Sequence, residues 1–140
     1  SRCALCAIDC KNIMLKELLL VAVGGLTGSV VRFLVFKFGS HFSPAWFPFS
    51  TFFVNLAGSF LIGVLYALVE RSAGLAGTLR PLLMAGFCGG FTTFSAFSLE
   101  NYQLLKEGQY LAVFAYATAS VILGLAAVIL GVKVFTLLAE

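Results

Sequence analysis

The residues of this chain that could do chemistry lie mostly inside long apolar segments. The ten residues GGFTTFSAFS, 89–98, combine two glycines, four hydroxyl side chains and three phenylalanines. Further polar side chains occur singly in other apolar stretches: Arg32, Asn55, Tyr116 and Ser120. Hydrocarbon offers no water to a polar group, so leaving such a side chain unpaired is costly, and polar residues at membrane depth are candidates for an ion or substrate pathway.

Gly89 and Gly90 are the predicted position of a break in the helix that carries this stretch. Each glycine costs a helix about 1 kcal/mol relative to alanine, and the β-branched pair Thr92–Thr93 follows closely. A break frees carbonyls and amides, which is tolerated in a membrane only where backbone is buried in protein or lines a wet cavity. Carbonyls freed in this way suit a hard cation such as sodium.

Phe94 and Phe97 are three residues apart and share a helix face. In a chain with fifteen phenylalanines the simplest interpretation is packing or contact with lipid. A second interpretation is open beside a polar break, because the edge of an aromatic ring is positive. Two rings presented edge-on, with the hydroxyls of Thr93, Ser95 and Ser98 nearby, would favour a small anion. Composition does not choose between the two.

The remaining polar residues also have alternatives. Arg32 can extend its charge to the lipid headgroups, and Tyr116 can be an ordinary interfacial aromatic. Asn55 is different, because its own helix cannot satisfy its amide and it needs a partner elsewhere. Glu100 is the one candidate for a carboxylate in a membrane segment, and it is expected near a helix end. Without a carboxylate at mid-helix, a proton-driven pump is disfavoured.

These residues are positioned by an all-α integral membrane fold. Of 140 residues, 61% are hydrophobic and 11% charged, with a mean hydropathy of +1.04, which leaves too few charges to cover a soluble core. The net charge of +3 is too small and scattered to indicate a nucleic-acid partner. Spanning a bilayer takes about 20 apolar residues. Four stretches qualify, joined by the segments GSHFSPAWFPFS, ERSAGLAGT and KEGQ: 18–38, 51–69, 79–105 and 110–138.

Residues 1–13 do not match the rest of the chain. They contain Cys3, Cys6 and Cys10, three of its four cysteines, ahead of Met14. We predict that 1–13 is an upstream or non-native extension and that 14–140 forms a single four-helix domain. The alternative, a metal site at the C-x-x-C pair, has no second ligand pair to complete it, and the single histidine, His41, lies beyond a membrane crossing.

Loop charges and small residues bear on assembly. Lysines and arginines are only slightly biased to one side, which fits either an N-in, C-in protein or one that inserts both ways and forms an antiparallel dimer. Small residues recur at four-residue spacing, which indicates close helix packing within or between subunits. The pairs are Gly24 with Gly28, Ser59 with Gly63, Ser120 with Gly124, and Ala127 with Gly131.

The segment GFCGGFTTFSAFSLE, 86–100, resembles the signature of the fluoride channel family, small four-helix membrane proteins also described as camphor-resistance or fluoride-exporter proteins. The first helix (GGLTGSVVRF), the second (STFFVNLAGSFLIG) and the fourth (YATASVILG) are similar to the family as well. The resemblance extends from Met14 to about Lys133. Ala96, where the motif usually has threonine, and Gly124, a hydroxyl position in some members, depart from it.

The resemblance implies an antiparallel, dual-topology homodimer in the cell inner membrane, through whose two pores fluoride leaves the cytoplasm passively. It also implies a structural sodium ion at the centre of the dimer, bound by the backbone carbonyls of Gly89 and Thr92, and places Arg32 in the vestibule. The implied pore residues are Phe94, Phe97, Asn55, Thr93, Ser95, Tyr116 and Ser120. The alternative is a small dual-topology proton-coupled secondary transporter. An enzyme is not expected, because no nucleophile, base and orienting group converge.

Overall fold

The structure, a computed structural model, describes residues 2–39 and 47–139, with side chains from Lys11 onwards except at Ala73. Every regular element in these ranges is helical. They are α1 (Arg2–Gly39), α2 (Phe49–Arg71), α3 (Ala73–Leu79), a π-helical segment (Arg80–Cys88), α4 (Gly89–Phe91), α5 (Phe94–Lys106) and α6 (Tyr110–Leu138).

Four stretches are long and apolar enough to cross a membrane, which confirms the predicted number of crossings. Their bounds are Lys11–Gly39, Phe49–Arg71, Gly74–Lys106 and Tyr110–Leu138. The third crossing consists of α3, the π-helical segment, α4 and α5, and it is bent between α4 and α5. The predicted loop GSHFSPAWFPFS, with His41, falls largely on residues 40–46 and so lies outside the described residues.

The connection between the second and third crossings is shorter than predicted. The segment ERSAGLAGT was expected to be a loop, but only Ser72 interrupts the helices there. The Ser72 N–H still donates to the carbonyls of Leu68 and Val69, and the Ser72 carbonyl accepts a hydrogen bond from the Leu75 N–H. An exposed ion pair between Arg80 and Glu70, 3.5 Å apart, spans the same turn. Small residues and charges had suggested a loop, although neither prevents a helix.

Glycines bring α1 against the third crossing. A Cβ at Gly24 would collide with the carbonyl oxygen of Leu82, and one at Gly28 with that of Phe87. The carbonyls of the π-helical segment therefore pack against the face of α1 on which Gly24 and Gly28 lack side chains. The spacing of Gly24 and Gly28 is thus used for packing within one chain.

Glycines also allow close packing along the contact between α2 and α6, which we call the seam. A Cβ at Gly63 would collide with the carbonyl oxygen of Val128, and one at Gly131 with that of Phe60. At Gly124 the nearest atom, the Ser59 Oγ, would be 3.6 Å away, which is ordinary contact.

Candidate functional site

The third crossing breaks at Thr92 and Thr93. Thr92 has φ −79° and ψ 160°, and Thr93 has φ −150° and ψ 116°, so both are extended before α5 begins at Phe94. The prediction that Gly89 and Gly90 form the break is therefore wrong in position, since Gly89 is helical at φ −63° and ψ −37°. β-Branched residues favour extended backbone, and Thr93 caps α5 by accepting a hydrogen bond from the Ala96 N–H at 3.3 Å.

The two glycines have other uses. A Cβ at Gly90 would lie 2.5 Å from the carbonyl oxygen of Gly25, so Gly90 lets α4 approach α1. A Cβ at Gly89 would meet no atom of the chain within 4 Å, and Gly89 is exposed. Gly89 is therefore open to the surface of the chain.

The break deprives four carbonyls of their helical partners. The Thr92 carbonyl accepts a hydrogen bond from the Arg32 Nη1 at 3.2 Å, and the Gly90 carbonyl lies 3.5 Å from the Ser29 hydroxyl. The carbonyls of Gly89 and Phe91 accept no hydrogen bond from any part of the chain that the structure describes. The Thr92 N–H keeps its helical bond, to the Cys88 carbonyl.

On the other side of the break, Asn55 of α2 supplies hydrogen-bond partners to the backbone of Thr93. Its Oδ1 accepts a hydrogen bond from the Thr93 N–H at 2.9 Å, and its Nδ2 donates to the Thr93 carbonyl at 3.2 Å. One amide thus satisfies both backbone groups of a single residue, as a neighbouring β-strand would. Asn55 finds the partner that its own helix cannot supply.

A row of aromatic rings extends from the break into the interior of the chain. The ring centroids of Phe94 and Phe97 are 5.8 Å apart, and those of Phe97 and Tyr116 are 5.1 Å apart. Tyr116 is fully buried, whereas Phe94 is 79% exposed. The row therefore begins on the open surface of the chain and ends in its interior.

Glu100, the carboxylate predicted near a helix end, lies at the buried end of this row. Glu100, half-buried within α5, accepts hydrogen bonds from the Tyr116 hydroxyl at 2.8 Å and from the Thr51 hydroxyl. Thr51 was not predicted at all. The available signal was its spacing, because Thr51, Asn55 and Ser59 follow one another at four residues and so share a face of α2.

Several of the predicted residues line an open groove of about 390 Å³. The groove is lined by residues that include Asn55, Ser59, Gly89 and Thr92. The exposed Ser95 has its hydroxyl 3.2 Å from that of Thr93. The buried Ser120 hydroxyl has no hydrogen-bond partner among the described residues, and no bond links it to the break.

Candidate cation ligands at the break are backbone oxygens. Within residues 11–39, 47–72 and 74–139, no three histidine, cysteine or acidic side chains come together as a metal site. The side chains of Cys3, Cys6 and Cys10 lie outside the described residues. The unpaired Gly89 carbonyl and the Thr92 carbonyl are thus the groups against which a cation at this break can be tested.

Comparison with known proteins gives consistent matches. Residues 19–132 match the family described as CrcB-like protein, Camphor Resistance (CrcB). The chain is 45% identical over 118 residues to a fluoride-specific ion channel FluC of Azobacteroides pseudotrichonymphae, covering 84% of this chain and 94% of that relative. It is 47% identical over 118 residues to a fluoride-specific ion channel FluC of Phocaeicola vulgatus, covering 84% and 97%. A relative of the same name in Flavobacterium psychrophilum is 42% identical over 113 residues, covering 81% and 91%.

Proposed function

Because this chain belongs to the CrcB-like, camphor-resistance family, we propose that it is a fluoride-specific ion channel through which fluoride leaves the cytoplasm passively. The observation that carries the proposal is 42–47% identity, over more than four fifths of the chain, to relatives named as fluoride-specific ion channels. The four apolar crossings make it a multi-pass membrane protein. It is a channel and not an enzyme, and we place it in the cell inner membrane.

A fluoride pore has to replace the water of a small, tightly hydrated anion with donors that also let the ion leave. The buried, unpaired hydroxyl of Ser120 and the exposed hydroxyl of Ser95 suit that role. Asn55 uses one amide N–H on Thr93 and has a second to offer. Tyr116 donates its hydroxyl to Glu100, so it would contribute its ring edge to the pathway.

The exposure of Phe94 supports a pathway that a second subunit completes. A large ring that is 79% exposed beside unpaired backbone would line a wet passage if another copy of the chain covered it. We propose an antiparallel homodimer with two such pores, to which the Phe94 and Phe97 rings present positive edges. The slight bias of lysine and arginine across the crossings is compatible with insertion in both orientations.

A structural sodium ion would fit between the two breaks. Gly89 is exposed and its carbonyl accepts no hydrogen bond from the described residues, and the Thr92 carbonyl has a second lone pair besides the one that Arg32 uses. Bound to these oxygens from both subunits, sodium would supply a fixed positive charge that ties the breaks together. The chain's own part is to hold those carbonyls, through Arg32 and the cap at Thr93.

Fluoride efflux from reconstituted liposomes tests the function. A fluoride electrode should record rapid release that a proton gradient does not drive, with chloride as the comparison anion. Release that follows an imposed proton gradient, at the rate of a carrier cycle, would instead support the proton-coupled transporter, for which Glu100 is the available carboxylate.

Ring replacements test the pore residues. Phe94→Ile and Phe97→Ile keep an apolar side chain and remove the ring, so we expect fluoride flux to be lost while the dimer persists in gel filtration. Phe114→Ile is the matched control, because Phe114 is 70% exposed on α6 and makes no ring contact in the described structure. Unchanged flux in the first two variants would remove these phenylalanines from the pore.

Glycine replacements test the dimer and the sodium site together. Gly89→Ala adds a methyl group that meets nothing in its own chain, and Gly74→Ala does the same at a distance from the break. We expect Gly89→Ala alone to weaken the dimer and to raise the sodium concentration needed to keep it, as measured by crosslinking. Identical behaviour of the two variants would count against a partner or a cation at Gly89.

A further inference from the structure

Helix α1 contacts the break through polar side chains on one face. Ser29 and Arg32 are three residues apart and so lie on the same side of α1. The Arg32 Nη1 donates to the Thr92 carbonyl at 3.2 Å, and the Ser29 hydroxyl lies 3.5 Å from the Gly90 carbonyl. Two of the four carbonyls freed by the break are thus met by α1, while Asn55 of α2 holds Thr93.

The Arg32 bond is the strongest candidate for a clamp among these contacts. A hydrogen bond from a charged donor is about twice as strong as one between neutral groups, and the Ser29 contact is long. Arg32 is half-buried, with its guanidinium turned to the backbone of another crossing. This geometry differs from a side chain that extends to the lipid headgroups.

We propose that Arg32 is a positioning residue that fixes the geometry of the break. By binding the Thr92 carbonyl, it holds the extended pair Thr92–Thr93 and thereby the first turn of α5, which carries Phe94 and Phe97. The resemblance implies a vestibule position for Arg32, where its charge would raise the local anion concentration. The positioning role is additional to that one, and it rests on the proposed channel function.

The two roles of Arg32 predict different kinetics. A charge at the mouth raises the local fluoride concentration, so its loss matters little once fluoride is saturating, and salt screens its effect. A side chain that holds the break changes the conducting structure itself. Its loss lowers the maximal flux at any fluoride concentration and at any ionic strength.

The test uses Arg32→Met, which keeps a long side chain and removes both charge and donor. We expect the saturating fluoride flux to fall by about tenfold or more, because a hydrogen bond to a charged group is lost. The fall should be the same at low and at high salt. Arg32→Lys, which can still donate to the carbonyl, should restore most of the saturating flux. Lys16→Gln removes an exposed charge from the same helix and should leave saturating flux unchanged.

A local measurement complements the flux. Cys88 is 2% exposed and its carbonyl binds Thr92, so a loosened break should make its thiol accessible to a membrane-permeant methanethiosulfonate. Peptide mapping should find more label on Cys88 in Arg32→Met than in the wild type or in Lys16→Gln. If Arg32→Met does not fold, Arg32→Gln, whose amide is too short to take the place of the guanidinium, is measured in its place.

The outcomes separate the two proposals. A flux defect that disappears at saturating fluoride or at high salt, with Cys88 still protected, would reduce Arg32 to a surface charge and overturn the inference. Absence of fluoride flux in the wild type would instead overturn the proposed function. In that case, more Cys88 labelling in Arg32→Met would still support the clamp, and unchanged labelling would overturn it.

Discussion

The seam between α2 and α6 and the break in the third crossing differ in how their backbone polar groups are satisfied. At the seam, Gly63 and Gly131 let two uninterrupted helices pack closely. A Cβ at either glycine would collide with a carbonyl oxygen of the other helix. At the break, Asn55 and Arg32 bind backbone groups that the helix has released. The seam leaves every helical hydrogen bond intact, whereas the break depends on long-range side chains to replace the missing ones.

The difference lies in what each region can do with an ion. The seam consists of uninterrupted helices packed through glycines, so it frees no backbone donor or acceptor and serves as a support. The break offers oriented carbonyls, amides and hydroxyls at membrane depth, which is a condition for coordinating ions. Function is therefore expected at the break, where backbone groups need partners from other helices, and the seam between α2 and α6 supports it.

Asn55→Ala should have the largest effect, because it attacks the break directly. The Thr93 N–H and carbonyl both lose their partner, at a cost of about 1–3 kcal/mol for each group left unpaired. We expect a lower free energy of unfolding in detergent micelles and loss of fluoride flux. Ser59→Ala, one turn along the same face of α2, is the control and should change stability by about 0.5 kcal/mol or less. Equal effects of the two variants would mean that the break does not need Asn55.

The position of the break shows where reasoning from sequence was limited. Two adjacent glycines have low helix propensity, and on that basis they were expected to break the helix. In the structure Gly90 is helical and its missing side chain lets α4 approach Gly25, whereas the helix is interrupted where Asn55 binds Thr93. That partner is on another crossing, so no local pattern around residue 90 contains the information.

Gly131→Ala tests the seam and should have the second largest effect. The added Cβ would collide with the Phe60 carbonyl oxygen and push α2 and α6 apart, which typically costs about 1–3 kcal/mol. The gain in helix propensity, up to about 1 kcal/mol, offsets part of this. Stability in micelles should fall. The flux per folded protein should stay closer to wild type than in Asn55→Ala, and a selective loss of flux would contradict the supporting role of the seam.

The small-residue pattern was the more predictable half of the comparison. Four-residue spacing is a local property, so Gly24, Gly28, Gly63 and Gly131 were all recognised as packing positions. Whether they pack within or between subunits depended on the fold, which places all four against their own chain. Glu100 was underestimated for the opposite reason, because its partners Thr51 and Tyr116 lie on two other helices.

Tyr116→Phe should have a smaller effect and would sharpen the distinction between ring and hydroxyl. It removes one of the two hydroxyl donors to Glu100 and keeps the ring that contacts Phe97, so we expect a loss of about 1 kcal/mol. Fluoride flux should fall less than in Phe97→Ile if Tyr116 serves the pathway through its ring. Tyr110→Phe, at an exposed site, is the matched control. A flux loss as large as that of Phe97→Ile would instead assign the role to the hydroxyl–carboxylate pair.

Gly124→Ala should have the smallest effect, and it completes the comparison because it makes the same change as Gly131→Ala in the same helix. Its Cβ would be 3.6 Å from the Ser59 Oγ, an ordinary contact, so α2 and α6 need not move. The gain in helix propensity then remains uncompensated, and stability should be unchanged or higher by up to about 1 kcal/mol. Parallel unfolding titrations of the two variants decide the point. If Gly124→Ala destabilises the protein as much as Gly131→Ala does, the glycines of the seam do not act by allowing close packing of α2 and α6. The contrast with the break would then need an explanation other than contact distance.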